Sequence, residues 1–452
     1  MDMISIAMSG VRAARQSLYE VANNTANVAT RGYSRRAVML STSSSGGVAT
    51  SETLRFNDGY KTQQLWQSSN ALGHARAAQS YLDRLETIMG GNALDGTLKH
   101  SDLGIGAFFG ALRSASATPA DPVLREAVCT RADAMSKQFN NLRASLEAQL
   151  HGIDRQRAGT VDQINGLAKQ VAVLNGQISA SVAGGKDAAA LMDQRDTAVG
   201  AMAAYAGVHT VLKADGSVDV LIGDGQPLVL GGQAGQIDIA HDASGNQALA
   251  LKIGSQSTVF GATALGGELG GLESVEQNVL RPQLDWLSTL AAKTADVVNA
   301  QLAKGYDLHG NAGKPLFAFD KSTGRISLSP DVQSETLAFS KSATSPGNNE
   351  NLLALIDRDS TRINLNGLGT VSIGSAFVSM LGRVGTASQQ NKSELETAKA
   401  VQSQAEADWR SLSGVSKDEE AMNTVRFRDM YSANMKVISI AAKLFETTLN
   451  AI

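Results

Sequence analysis

The two ends of the chain carry the same hydrophobic period, and this constrains the fold more than any other feature. Near the start, Ile4, Ala7, Val11, Ala14, Leu18, Val21, Thr25 and Val28 alternate at spacings of three and four. That is the a/d seam of a coiled coil, held over about four heptads. Arg12, Arg15, Gln16, Glu20, Asn23 and Asn24 lie between them and keep the stripe narrow. At the other end, Met430, Val437, Leu444 and Ala451 form one series spaced by seven, and Tyr431, Ile438, Phe445 and Ile452 form a second. Asn434, Ala441 and Thr448 fill the places between, and Leu449 joins the candidate contact face. Two matched seams at the extreme ends predict that the terminal helices pack on each other.

The first seam runs into ANNTANVATRGYSRR, Ala22 to Arg36. Asn23, Asn24 and Asn27 stand at i, i+1 and i+4 and share one polar face of the helix. Thr30, Gly32 and Ser34 stop the helix, with Gly32 suited to a left-handed cap. Ordering a residue costs about 1–2 kcal/mol of backbone entropy, while a fully buried apolar side chain returns about 1.5–3 kcal/mol. Only one residue in three or four lies on the seam, so residues 1–33 and 418–452 are expected to fray in the isolated chain and to order among neighbouring subunits.

The interior repeats the helical theme. One long helix is predicted from Pro122 to about Ala183: Val128, Met135 and Leu142 are spaced by seven, as are Phe139, Leu146 and Ile153. After a shift near Gly159 the seam resumes as Ile164, Leu167, Val171, Leu174 and Ile178. Further helices are expected over residues 60–89, 101–117, 190–206, 269–304 and 372–412. From Val208 to Ala264 the pattern changes to short β-branched runs broken by Asp215-Gly216 and Asp224-Gly225, a strong hairpin signal. Residues 307–369 hold shorter runs, GRISLSP and ETLAFS, that read as strands.

At 452 residues the chain is long enough for two to four domains. The expected class is α+β and multidomain. Residues 1–35 and 418–452 form an antiparallel coiled-coil rod. Residues 36–206 and 268–417 form a helix-rich part with a β extension. Residues 207–267 form an inserted β-domain, expected to be self-contained and to decorate the outside.

Catalytic constellations are weak. The six histidines, His74, His100, His151, His209, His241 and His309, include no pair at helical ligand spacing, and Cys129 is the only cysteine. Gly104 to Gly110 has the wrong spacing for a dinucleotide loop, and Asp307 to Phe317 reads as a turn because it lacks the carboxylate spacing of a calcium loop. Asp193, Arg195 and Asp196 in LMDQRD read as helix ion pairs. No enzyme activity, metal or cofactor is expected. A net charge of -3 and 5% aromatic residues argue against nucleic acid. No apolar run approaches the ~18 residues of a membrane span, and the N-terminus lacks the form of a secretory signal.

NNTANVATRGYSRR resembles the N-terminal signature of the bacterial flagellar axial proteins, the rod, hook and hook-associated proteins. Gly32, Tyr33, Ser34 and Arg35 are similar to the hook-associated branch, with Arg36 where glutamine is expected. INGLAKQVAVLNGQI (Ile164 to Ile178), the stretch from Leu191 to Gly232, VNAQLAKGYDLHGNAGKPLF (Val298 to Phe317) and Ser413 to Ile452 extend the resemblance over most of the chain. It implies a structural subunit of the junction between hook and filament, outside the cell. The implied partners are a ring of like subunits, the hook protein, a second junction protein and an export chaperone on the C-terminal helix. The implied route is unfolded export through the flagellar type III apparatus. A hook- or rod-type axial protein and a secreted adhesin or effector are the rival readings. The expected assembly residues are Ile4, Val11, Leu18, Asn23, Asn24, Asn27, Gly32, Tyr33, Arg35, Tyr431, Asn434, Ile438, Phe445 and Leu449.

Overall fold

In the computed structural model, residues 3–44, 46–90, 103–241, 247–261 and 265–450 are described. The chain opens with α1 (Met3–Ala26), the hairpin β1 (Arg36–Thr42) and β2 (Val48–Arg55), and α2 (Gly59–Gly90). Next come α3 (Ile105–Ala115), α4 (Pro122–Ala183) and α5 (Ala189–Tyr205). The strands β3 (Val208–Leu212), β4 (Val218–Ile222), β5 (Gln226–Leu230), β6 (Gln233–Ala234), β7 (Gln236–His241), β8 (Gln247–Ile253) and β9 (Gln256–Phe260) follow. After them run α6 (Gly267–Val275), a π-helical turn (Glu276–Leu280), α7 (Arg281–Leu302) and the hairpin β10 (Phe317–Asp320) and β11 (Arg325–Leu328). The chain closes with α8 (Glu350–Ile356), the hairpin β12 (Arg362–Leu365) and β13 (Gly369–Ser372), α9 (Ile373–Ser413) and α10 (Lys417–Asn450).

Packing groups the chain into two units, one of residues 1–74, 158–270 and 396–452, the other of residues 75–157 and 271–395. In the first unit, β3-β4-β5-β6 and β7-β8-β9 form two antiparallel sheets. The turns use the expected glycines: Gly216 and Gly225 both take positive φ, at 80° and 98°. One core then joins sheets and helices. Val208, Val220, Ile222, Leu228, Ile237 and Leu249 pack with Ile164, Val171, Val199, Met202 and Trp66. This corrects the expectation that the β-insert is self-contained. Its inner faces, with Trp66 of α2, Leu265 just before α6 and Leu269 on it, cover the apolar faces of α4 and α5.

The second unit is built on the long seam of α4. Val128, Met135, Phe139, Leu146 and Ile153 pack with Leu85, Phe108, Leu290, Phe317 and Phe377. Two expectations are corrected here. ETLAFS is not a strand: Ser334–Thr336 form a 3-10 turn, and the Arg125 guanidinium donates to the carbonyls of Ser334 (3.1 Å) and Leu337 (2.8 Å). With those carbonyls taken by a side chain, no ladder forms there. The helix expected over 269–304 is interrupted by the π-helical turn, just before Pro282, which cannot donate a backbone hydrogen bond.

The π turn is also where Arg157, buried to 1% exposure, donates to Glu276 (2.5 Å) and Glu273 (3.0 Å). Burial alone would raise the Glu276 carboxyl, but Arg157 and Arg281 outweigh it and hold it below the usual carboxylate range. Replacing Arg157 with methionine leaves two buried carboxylates without this partner. The expected loss is about 3–5 kcal/mol by urea denaturation at neutral pH. That loss shrinks as acid protonates Glu276, because a depressed carboxylate contributes stability only above its unfolded pKa. A flat difference between pH about 3 and 7 would contradict this account.

Candidate assembly site at the terminal helices

α1 and α10 lie side by side and antiparallel: Gly10 faces Asn434, while Asn24 reaches Glu420. The face that α1 buries is Ala7, Gly10, Ala13, Ala14, Ser17, Glu20, Val21 and Asn24. Three of the eight expected seam positions, Ala7, Ala14 and Val21, are there. The other five are not. Ile4 and Thr25 are exposed and Val11, Leu18 and Val28 are half-buried, their places taken by Gly10, Ser17 and Asn24. The reason is steric. A Cβ on Gly10 would overlap the Asn434 side chain, so at that level the helices meet too closely for any larger side chain.

On α10, Glu420 and Ala441 are buried, and Phe427, Met430, Tyr431, Asn434 and Ile438 are half-buried. Asn434 donates to its own helix, to the Met430 carbonyl at 2.8 Å. Beyond Ala441 the burial stops. Leu444, Phe445 and Leu449, expected on the seam, are 55%, 68% and 64% exposed. Ala451 and Ile452 lie outside the described residues. The antiparallel register explains this: Gly10 opposite Asn434 places the start of α1 near Ala441, so α10 runs on past its partner.

The helix stops at Ala26, and the signature turn follows. The Thr30 amide donates to the Asn27 carbonyl (2.9 Å) and the Thr30 hydroxyl to Asn27 Oδ1 (3.1 Å). Asn27 also donates to the Asn23 carbonyl at 2.9 Å. Gly32 has φ +80°, and a Cβ there would strike the Thr197 hydroxyl on α5. Asn24, 1% exposed, holds the turn closed. Its Nδ2 donates to the Arg36 carbonyl (2.8 Å), and its Oδ1 accepts from the Tyr33 hydroxyl (2.9 Å) and the Arg36 amide (3.0 Å). Of the three asparagines, Asn24 is the buried pin, Asn27 serves the local turn, and the Asn23 side chain reaches Glu20 within α1.

Residues 36–55, expected within a helix-rich part, instead form the β1–β2 hairpin, reversed at Gly46 and Gly47 with φ 89° and 85°. Its register sets Arg36 opposite Arg55. Like charges at that spacing repel, and LMDQRD supplies the compensation. Asp193 accepts from Arg36 (2.7 Å) and Arg55 (2.8 Å), and Asp196 accepts from Arg55 (2.8 Å) and Arg195 (2.9 Å). The two acids are thus tied to arginines, as their reading as helix ion pairs requires. Arg35 stacks 4.3 Å above the Phe56 ring and pairs with Glu419 of α10, while its amide donates to the Ser413 carbonyl at 2.8 Å.

Burial governs the electrostatics. It pushes the Tyr33 hydroxyl up to about 12, with Arg36 pulling the other way. It also raises the carboxyls of Glu20 and Glu420 above the usual range, against smaller opposing pulls from Asn23 and Asn24. Sequence reasoning missed Gly10, Ser17, Glu20, Arg36, Asp193 and Glu420 as members of this site. The small-residue series 7, 10, 14, 17, 21, 24 could have revealed the true α1 face, since it keeps the same three-four spacing. Among the described residues, no group of three His, Cys, Asp or Glu side chains gathers as a metal site.

The model of the family described as the flagellar hook-associated protein FlgK helical domain matches residues 82–317, more than half of the chain. Flagellar hook-associated protein 1 of Salmonella typhimurium is 25% identical over 569 positions, covering 99% of each chain. The proteins of that name from Escherichia coli and Bacillus subtilis are each 23% identical, covering 99% of this chain and 99% and 97% of their own. The Salmonella alignment is longer than this chain's 452 residues, so that relative carries segments with no counterpart here. The structure of the flagellar hook junction protein FlgK from Burkholderia pseudomallei has a TM-score of 0.63 at 17% identity, covering 79% of this chain and all of that one. The fold is therefore that of a known axial protein, and the helical middle carries its own independent likeness. By that match, the chain belongs to the FlgK family of flagellar hook-associated proteins, whose part in the flagellum is structural.

Proposed function

We propose that the chain is a subunit of the junction between hook and filament, reaches it through the flagellar type III apparatus, and joins a ring of like subunits through α1 and α10. The observation that carries this reading is the uncovered end of α10. Residues 442–450 extend roughly 13 Å beyond the start of α1. Leu444, Phe445 and Leu449 stand exposed there, and Met3, Ile4, Ile6 and Met8 are exposed on α1. An isolated chain gains nothing by holding apolar residues on a helix in water; neighbouring subunits would bury them. The hook protein, the second junction protein and an export chaperone are the partners this surface serves. The middle of α1 has partners inside its own unit, so ordering on assembly is confined to the ends of the helix pair.

The experiment is a strain carrying Phe445→Asp. Because Phe445 is exposed, the isolated variant should melt within about 0.5 kcal/mol of the parent. Chaperone binding by calorimetry should weaken at least tenfold, and hooks should lack filaments under the electron microscope. A strain lacking the gene should show the same bare hooks and shed filament protein. Normal filaments on either strain refute the junction role, and unchanged chaperone affinity removes the C-terminal docking site.

A further inference from the structure

The elements meeting at the signature turn hold an unusual set of buried polar atoms. Ser17 Oγ and Glu20 Oε2 on α1, Ser34 Oγ and Arg36 Nε after it, Ser413 Oγ at the end of α9 and Glu420 Oε2 on α10 are all shut from solvent without a hydrogen-bond partner. Two of them belong to acids, Glu20 at 6% and Glu420 at 3% exposure. Among the described residues neither acid sits in an ion pair, because the nearby cations are engaged: Arg35 with Glu419 and Arg36 with Asp193. A buried carboxylate without a paired cation is costly and takes up a proton instead. A protonated carboxyl is neutral, and it gains a donor where unpartnered hydroxyl oxygens are already buried.

We propose that the seam between α1 and α10 is a proton-linked latch, closed while Glu20 and Glu420 are protonated and loosened when they ionise. The charged groups around each acid leave that sense unchanged. Glu20 feels burial first, then the Asn23 side chain, Asp187 before α5, and Arg36 on β1. Glu420 feels burial first, then Asn24 on α1, Arg35 in the turn, and Glu419 on its own helix. Tyr33 lies within the field of both acids and stays neutral, its hydroxyl raised to about 12. Both carboxyls remain raised. The folded seam therefore binds more protons than the unfolded chain, so its stability is full in acid and is lost as pH rises through the folded values. The sign is opposite to that of Glu276. The latch is a property of the single chain and holds whether or not the chain forms the junction, so an assembly defect does not bear on it.

The test is hydrogen exchange on the full chain at about pH 5 and about pH 8, with rates corrected for intrinsic exchange and α7 amides as the internal reference. Protection of α1 amides around Ser17–Val21 should fall severalfold relative to α7 between the two conditions. In the double variant Glu20→Gln, Glu420→Gln the fall should vanish, with protection at the higher pH above that of the parent. Equal protection of the parent at both conditions overturns the latch, as does a double variant with the parent's pH dependence. Should that variant not fold, carbon NMR titration of the parent decides. Both carboxyls titrating above the ordinary glutamate value supports the latch, and titration at or below it overturns it.

Discussion

A chain in which β3–β9 are replaced by a short Gly-Ser linker should lose the fold of its first unit. Ile164, Val171, Val199 and Met202 are fully buried against those strands. Each is worth about 1.5–3 kcal/mol of burial, so uncovering four costs roughly 6–12 kcal/mol, comparable to the whole stability of a domain. The strands are not ornaments on a finished helical body; among the described residues they supply nine of the 22 buried in its core. Far-UV circular dichroism during urea denaturation is the measurement. The second unit should retain a transition, and the amplitude belonging to the first should be gone. A cooperative melt of both units at the parent midpoint would show that the helices repack without the sheets and would restore the view of the insert as self-contained.

The second large effect is at Asn24. In Asn24→Leu the Tyr33 hydroxyl and both the amide and the carbonyl of Arg36 lose their partner in a site closed to water. Each buried orphan costs about 1–3 kcal/mol, so three cost roughly 3–9 kcal/mol. Asn23→Leu should cost far less, since Asn23 is half-buried. Asn24→Asp keeps the acceptor and loses the amide donor while adding a charge beside Glu420, so it should fall between the two at neutral pH. Denaturation midpoints of the three variants check the ranking. Equal losses at Asn23 and Asn24 would mean that the asparagines act as a shared polar face rather than one buried pin beside two locally bonded neighbours.

Much of the helical architecture could be read from the chain because large apolar side chains repeat with the helix. The expected seam of α4 is buried from Val128 to Ile178 except at Leu167, which is half-buried, since these positions face partners with room for large side chains. Asp-Gly pairs marked the β3–β4 and β4–β5 turns because positive φ there admits few other residues. The α1 face was misjudged for the converse reason. A search for large apolar residues follows Ile4, Val11 and Leu18, while a close helix contact selects Gly10, Ser17 and Asn24. The β1–β2 hairpin was hidden because its strands are rich in Ser and Thr and its function depends on long-range charge. Nothing near Arg36 and Arg55 in sequence announces that Asp193 balances both. Asn23, Asn24 and Asn27 cannot be separated by spacing until the direction of the partner helix is known.

The small-residue seam has a thermal consequence. Heat capacity of unfolding follows the apolar area newly wetted, and Ala7, Gly10, Ala14 and Ser17 present little of it. Parting α1 from α10 is then a low-heat-capacity event, unlike melting the core around Phe108, Phe139 and Phe377. Its free energy then changes nearly linearly with temperature, without the strong curvature of a core transition. A joint made by fit rather than by hydrophobic adhesion is spared much of the weakening that cold brings to apolar burial.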